Sequence, residues 1–270
     1  MRTLCISIAK EASSINEDAV IAKPSCIAVA DGAGGGGVFA ERWSQYLLNN
    51  LPETPITTFE QLDQWVDRIW EPYYNECEEL AKSLGGGMLL TKFYEEGSFS
   101  TLAAVWQSDK IHWATYGDSV VFCYNWKTKE LQYSIRHLSD FSNAPYLVSC
   151  KDPMDEKGFS SGTFESFEDI IYFVTSDALA HYILMMYMVS HFERFNDELS
   201  TVLNSHSRNS QYVKSALSIV HPDFDIVLSK LFSCIGHRLN FTRHLEKLRR
   251  QNLLAVDDYS IGVMSGCLHD

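Results

Sequence analysis

The chain reads as an α+β protein on three observations. Four β-rich runs follow one another between residues 100 and 135, separated only by short polar turns. Two helical patterns, 38–51 and 58–84, precede them. A block of mostly helical residues fills 178–252. Strands gathered in runs and helices gathered in runs describe α+β architecture, whereas a doubly wound sheet needs the two to alternate.

In chain order, residues 3–9 and 19–30 read as strands flanking Asn16-Glu17-Asp18. After glycines at 34–37, Phe39, Trp43, Tyr46 and Leu47 recur at helical spacing. The longer helix at 58–84 turns Leu62, Trp65, Val66, Ile69 and Tyr73 to one face, and Thr58 with Gln61 has capping-box spacing at its start. Gly85-Gly86-Gly87 ends it. The runs at 100–106, 111–116, 119–125 and 130–135 are joined by links too short for crossover helices, so they are expected to run antiparallel as one meander. Residues 140–168, with Pro145, Pro153 and several glycines, read as loop. A strand at 169–175 leads into the helical block, which His221-Pro222 interrupts, and a strand at 259–265 follows. No repeat, low-complexity stretch or linker divides the sequence, so 1–270 is expected to be one domain with a mostly helical segment at about 178–252.

Composition excludes several function classes. A hydrophobic share of 46% in 270 residues supports a sizeable core. The formal net charge of −13 argues against a nucleic-acid partner, whose phosphates need a concentrated basic patch. The basic residues of 243–250 fall on one side of an expected helix and read as a solvated face. The seven cysteines (5, 26, 77, 123, 150, 234 and 267) are scattered, odd in number and contain no Cys-x-x-Cys pair, which points to free thiols in a reducing compartment. The start is too short and too soon polar for a signal peptide. The longest apolar stretch, 178–189, is interrupted by His181 and falls short of a membrane span. The expectation is a cytoplasmic protein with no membrane partner.

The functional signal lies in the acids. Apolar runs end on or run into aspartate four times: before Asp31-Gly32, at Gly117-Asp118-Ser119, at Ser176-Asp177 and at Asp257-Asp258. Glu17-Asp18 adds a fifth acidic site. One Asp-Gly after a strand is ordinarily a turn, because both residues tolerate the backbone angles. Five such places, none with a basic residue beside it, say more. Strands from distant parts of a chain meet in one sheet, and their ends deliver carboxylates to one place. Unpaired clustered carboxylates repel, and hard divalent cations are the usual remedy.

The order of motifs is Asn16-Glu17-Asp18-Ala19, Asp31-Gly32-Ala33-Gly34-Gly35, Gly97-Ser98-Phe99-Ser100-Thr101, Gly117-Asp118-Ser119, Ser176-Asp177 and Asp257-Asp258-Tyr259-Ser260. Over about residues 5–265 this order resembles the protein phosphatase 2C family of metal-dependent serine/threonine phosphatases. The resemblance implies two antiparallel sheets packed as a sandwich between layers of helices (αββα), with metals in a cleft at one end. It implies that Asp31 bridges two Mg²⁺ or Mn²⁺ ions and that the Gly32 carbonyl binds one of them. Asp177 and Asp257 would complete the first metal site, with Asp258 the adjacent alternative to Asp257. Glu17 and Asp18 would hold the second metal mainly through its waters, and Asp118 falls where bacterial relatives bind a third, weaker one. Asp18, Asp31, Asp177 and Asp257 would carry catalysis. The implied substrate is phosphoserine or phosphothreonine in a phosphoprotein, opposing a serine/threonine kinase. In that chemistry two cations sharing a water lower its pKa, place it in line with the leaving oxygen and offset the charge on phosphorus. No cysteine nucleophile is required, and the chain has no Cys-x5-Arg loop.

The sequence departs from the family pattern in three places. Ser13 stands where an arginine usually grips the substrate phosphate, so another cation, Arg42 or Arg136 first, would have to do so. Ala33 replaces a histidine that bacterial members commonly lack, and Ala178 replaces a glycine. Ser13 keeps open an alternative in which the chain is a catalytically weak or inactive phosphatase-like binding or signalling module; the retained Asp31, Asp177 and Asp257 oppose it. A two-metal phosphodiesterase of nucleotides fits the motif order and acidic surface less well. A nucleotide P-loop at 34–37 is excluded by the missing Gly-Lys-Ser/Thr. His112 and His137 read as structural or surface histidines, and Met185, Met186 and Met188 as core packing.

Overall fold

The computed structural model describes residues 1–265 apart from Gly36, Gly85, Gly86, 166–168, His206, Val220 and His221. The expected breaks at Gly85-Gly86 and His221, the centre of the glycine run and Cys267 therefore lie outside the described residues.

Strand β1 (Arg2–Ile8) leads into the loop that carries Glu17 and Asp18. β2 (Ala19–Lys23) and β3 (Cys26–Ala30) then form a hairpin. The expected single strand over 19–30 is thus two, because Pro24 cannot continue a hydrogen-bonded ladder and takes the turn with Ser25. Helices α1 (Ala40–Asn49) and α2 (Phe59–Ser83) match the two helical patterns. At the start of α2 the Gln61 amide donates to Thr58 Oγ1 at 3.3 Å, while Gln61 Oε1 accepts from the Thr57 amide at 2.7 Å. The reciprocal arm of the capping box is therefore displaced by one residue.

A third helix, α3 (Gly87–Glu96), was not expected. It buries only Phe93 fully, so its sequence carries little amphipathic signal. β4 (Phe99–Ser100), β5 (Leu102–Gln107), β6 (Ile111–Tyr116), β7 (Val120–Asn125) and β8 (Glu130–Tyr133) follow. The expected meander is not continuous. β5 pairs with β6 and β7 with β8, but the link 117–119 crosses from one sheet to the other. Short links exclude crossover helices, yet they do not exclude a corner between two stacked sheets.

The region read as loop holds two further strands, β9 (Val148–Ser149) and β10 (Phe159–Phe164). β10 is an edge strand of sequence FSSGTF, too polar to announce itself by alternation. β11 (Ile170–Thr175) leads into α4 (Asp177–Ser190), α5 (Phe192–Asn204), α6 (Arg208–Leu217), α7 (Phe224–Ile235) and α8 (Arg238–Arg250). β12 (Tyr259–Ser265) completes the order.

One five-stranded antiparallel sheet runs β1-β12-β11-β7-β8 and the other β10-β6-β5-β3-β2. Period-two alternation explains how both faces are covered. On β3, Ile27 and Val29 point to the other sheet, while Cys26, Ala28 and Ala30 face the α1–α2 side. On β11, Tyr172 and Val174 point inward, while Ile171 and Phe173 meet the α4–α8 side. The result is the αββα sandwich. α4 is buried along its length from Ala178 to Val189, so Met185, Met186 and Met188 are core. His181 lies there too, against the rings of Phe141 and Tyr212, and burial lowers its pKa to about 4, leaving it neutral. No helix among the described residues is long and apolar enough to cross a membrane.

Candidate metal centre

Each acidic motif sits where a strand ends at one edge of the sandwich, and each is held there by backbone bonds. Asp31 follows β3. Its carbonyl accepts from the Thr101 amide at 2.8 Å and from Ser100 Oγ at 2.9 Å, which fastens it to the start of β5. Gly32 bridges to Ser100, and a Cβ on it would come within 2.4 Å of the Glu17 carbonyl. Only glycine lets these two acidic segments approach so closely. Asp118 lies in the link that crosses between the sheets, where Gly117 has φ +92 and where Ser119 Oγ meets Thr101 Oγ1 at 2.6 Å. The motifs Gly97–Thr101 and Gly117–Ser119 are therefore positioning devices for Asp31 and Asp118.

Asp177 is the first residue of α4, where the helix dipole favours a carboxylate, and it accepts a bond from the Ala178 amide. Ser176 ties this corner to β12: its amide donates to the Ser260 carbonyl at 3.1 Å and its Oγ accepts from the Ser260 amide at 3.0 Å. Asp257 and Asp258 precede β12 and divide the work. Asp258 is buried, and its two oxygens accept from the Lys10 and Glu17 amides, both at 2.7 Å. It is a pin for the loop between β1 and β2. Asp257 keeps one oxygen on the Asp258 amide at 2.9 Å, and its charge acts on Asp31, Asp118 and Asp177.

The Glu17-Asp18 turn is fixed by that pin, by Ser44 Oγ donating to the Glu17 carbonyl at 2.6 Å, and by Asn16 Nδ2 donating to Ser7 Oγ at 2.6 Å. Asp18 is then driven inward: it is 4% exposed, and neither of its carboxylate oxygens has a hydrogen-bond partner. The nearby hydroxyls of Ser176 and Ser260 favour its charged form but make no hydrogen bond to it, and Ser260 Oγ donates instead to Ser7 Oγ at 2.7 Å. Glu17 stands apart. Its carboxylate pairs with Lys10 Nζ at 3.4 Å and rests where a Cβ on Gly34 would lie. Lys10 corrects the expectation that no cation accompanies the acids.

The electrostatics follow from burial and crowding. Burial first, then the charges of Asp18, Asp177, Asp118 and Asp257, hold Asp31 well above the usual carboxylate range. Burial pushes Asp18 up to about 7 and Asp118 to about 6. Asp177 is likewise raised well above its ordinary value and Asp257 is raised, burial again leading. Five carboxylates raised by burial and crowding, one of them with two orphaned buried oxygens, suit a hard cation that prefers oxygen. Among the described residues no three His, Cys, Asp or Glu side chains are arranged as a group that could hold a metal ion.

Asp118 also lines a cleft of about 760 Å³ whose walls are Thr115, 117–119, 134–136, Asp140, 143–146 and 155–160. Arg136 opens into it. Arg42, the other cation expected as a substitute for Ser13, is instead paired with Glu76 at 3.0 Å. Ser13 is exposed in its turn. His112 pairs with Asp109 and His137 precedes a short 3-10 turn, so neither joins the centre. Lys10, the Asp258 pin and the Ser7–Ser260 contact escaped the sequence reading. A lone lysine or serine in a loop is indistinguishable from a solvated one until the chain is folded.

No family model matches the chain, and no curated protein matches it. Solved structures do. The chain is similar to the catalytic domain of serine threonine protein phosphatase PstP in complex with two manganese ions, at 17% identity over 97% of this chain and 96% of that one, TM-score 0.53. It is similar to PppA, a key regulatory component of T6SS in Pseudomonas aeruginosa, at 16% identity over 97% and 96%, TM-score 0.52. It is also similar to serine/threonine phosphatase Stp1 from Staphylococcus aureus, at 11% identity over 97% and 94%, TM-score 0.51. At these identities the likeness shows the fold, and the fold is the one the motif resemblance implied.

Proposed function

We propose that this chain, as one domain over residues 1–270, hydrolyses phosphoserine and phosphothreonine monoesters in proteins with the help of Mg²⁺ or Mn²⁺, opposing a serine/threonine kinase. The observation that carries the reading is the convergence of Asp18, Asp31, Asp118, Asp177 and Asp257 at one edge of the sandwich, where each resists ionisation and Asp18 has no partner. The fold shared with PstP, described in complex with two manganese ions, supports the choice of metal and its number.

Asp31, affected by all four other aspartates, is the natural bridging ligand. Asp177 and Asp257 would serve one cation with it, and Glu17 and Asp18 the other through water, with Asp118 at a weaker third position. Bound there, the cations supply an acidified water and positive charge for the phosphoryl oxygens. The protein's part is to hold the acids close together against their own repulsion. Its anchors, Ser44, Thr101, Ser119 and Asp258, fix the loops that carry the carboxylates, which limits reorganisation during the reaction.

Initial rates on p-nitrophenyl phosphate in Mn²⁺, in Mg²⁺ and in EDTA test the proposal, with Asp31→Asn as the control. Equal rates in chelator would refute it. A second reading, a phosphatase-like module that binds without turnover, is favoured by the exposed Ser13, whose loop offers no arginine. Such a protein would bind Mn²⁺ and leave the ester intact.

A further inference from the structure

The cleft beside Asp118 contains two cations from separate walls, Arg136 after β8 and Lys157 in the short turn Glu156–Gly158. Both are exposed, and neither side chain has an ion pair or hydrogen bond among the described residues. The same lining carries the carboxylates of Asp118, Asp140, Asp155 and Glu156. Asp140 accepts from the His137 amide at 2.9 Å, and Asp155 accepts from the Lys157 amide at 2.9 Å. Other arginines are committed elsewhere: Arg194 to Glu130, Arg42 to Glu76, and Arg249 to the Lys10 carbonyl. In a chain of net charge −13, Arg136 and Lys157 are two cations without a partner among the described residues, standing in the cleft that reaches Asp118, where they can meet an anion that approaches the acidic centre.

We infer that Arg136, assisted by Lys157, grips the phosphoryl dianion of an incoming phosphopeptide, and that Pro145 and Tyr146 bed the residues flanking it. A guanidinium can take two phosphoryl oxygens at once, and an ammonium adds a compact point charge. A volume of about 760 Å³ is enough for a phosphorylated side chain with its neighbours. Tyr146 is 44% exposed, an aromatic face open to such a segment. The identity of the ligand rests on the phosphatase reading above; the availability of the two cations does not.

The test is fluorescence anisotropy of a labelled peptide bearing a non-hydrolysable phosphonate analogue of phosphoserine, titrated with the Mn²⁺-loaded protein. Arg136→Ala is expected to weaken binding about tenfold or more, Lys157→Ala less, and Arg136→Lys to recover part of the loss. The melting temperature should not move, since neither side chain supports the fold. The same peptide without the phosphonate should be indifferent to Arg136→Ala. Absent binding by the wild type, unchanged affinity in Arg136→Ala/Lys157→Ala, or equal sensitivity of the plain peptide would each overturn the inference. Turnover of p-nitrophenyl phosphate is read separately. Arg136-dependent binding without any Mn²⁺-dependent hydrolysis would leave this inference standing and remove the phosphatase reading instead.

Discussion

Asp258→Asn separates what holds the centre together from what fills it. The wild-type carboxylate is 3% exposed and receives two backbone N–H groups, from Lys10 and Glu17, at 2.7 Å each. Asparagine keeps the shape but offers one acceptor oxygen, and its amide nitrogen then faces a backbone donor. One hydrogen bond to a charged acceptor is lost, a deficit of about 1.5–3 kcal/mol. For a domain of this size each kcal/mol moves the midpoint by about 2–4 °C, so the melting temperature should fall by roughly 5–10 °C. The loop carrying Glu17 and Asp18 loosens as well, so more Mn²⁺ should be needed for half-maximal activity. Calorimetry in EDTA measures the first effect and a Mn²⁺ titration of activity the second. Asp257→Asn supplies the contrast: it relieves repulsion, and its carbonyl still accepts from residue 258, so the metal-free protein should hold or gain stability. A midpoint unchanged in Asp258→Asn and lowered in Asp257→Asn would show that the two roles have been assigned the wrong way round.

The raised carboxylates give the metal-free protein an inverted pH dependence. Asp18 at about 7 and Asp118 at about 6 keep protons that the unfolded chain has shed near its ordinary 3.8, so stability in EDTA should fall as pH climbs from about 4 to about 7. At ~1.36 kcal/mol per pK unit the effect is on the order of a few kcal/mol, and chemical denaturation at pH 5 and pH 7.5 with equal midpoints would count against it. Saturating Mn²⁺ should raise the melting temperature of the wild type at pH 7.5 by binding only the folded state, and Asp31→Asn should abolish most of that rise. Gly117→Ala puts a Cβ at φ +92 only 2.5 Å from the Tyr146 carbonyl, so it should cost more than about 2 kcal/mol in denaturant unfolding. A neutral outcome there would mean that the sheet-crossing link is laxer than it looks.

What could be read from the sequence was what has a period or a spacing. β6 and β12 were expected over the residues they occupy, because apolar alternation ran into polar ends. β10 was invisible, since an edge strand paired on one side needs no apolar face, and α3 was invisible because it buries little. The crossing at 117–119 could not be read because a short turn serves a hairpin and a corner between sheets equally well. In the site, the acids could be singled out by their places at strand ends. Asp258 was left as an alternative ligand, since the sequence Asp-Asp does not say which carboxylate points to the backbone. Lys10 was missed because its partner, Glu17, is seven residues away in a loop with no periodicity.

The position of β12 has a consequence for synthesis. It lies between β1 and β11, pairing Arg2 with Ser265 on one side and Ile171 with Ser265 on the other. A nascent chain that has not reached residue 265 therefore carries β1 with its ladder unfilled, and one short of residue 258 lacks the pin for the Glu17-Asp18 loop. The first strand made must wait for the last, keeping an open edge shielded meanwhile by charge, by a chaperone or by transient contacts. A product that stops before residue 257 lacks both Asp257 and the Asp258 pin, so the acidic centre is completed only when the chain reaches β12.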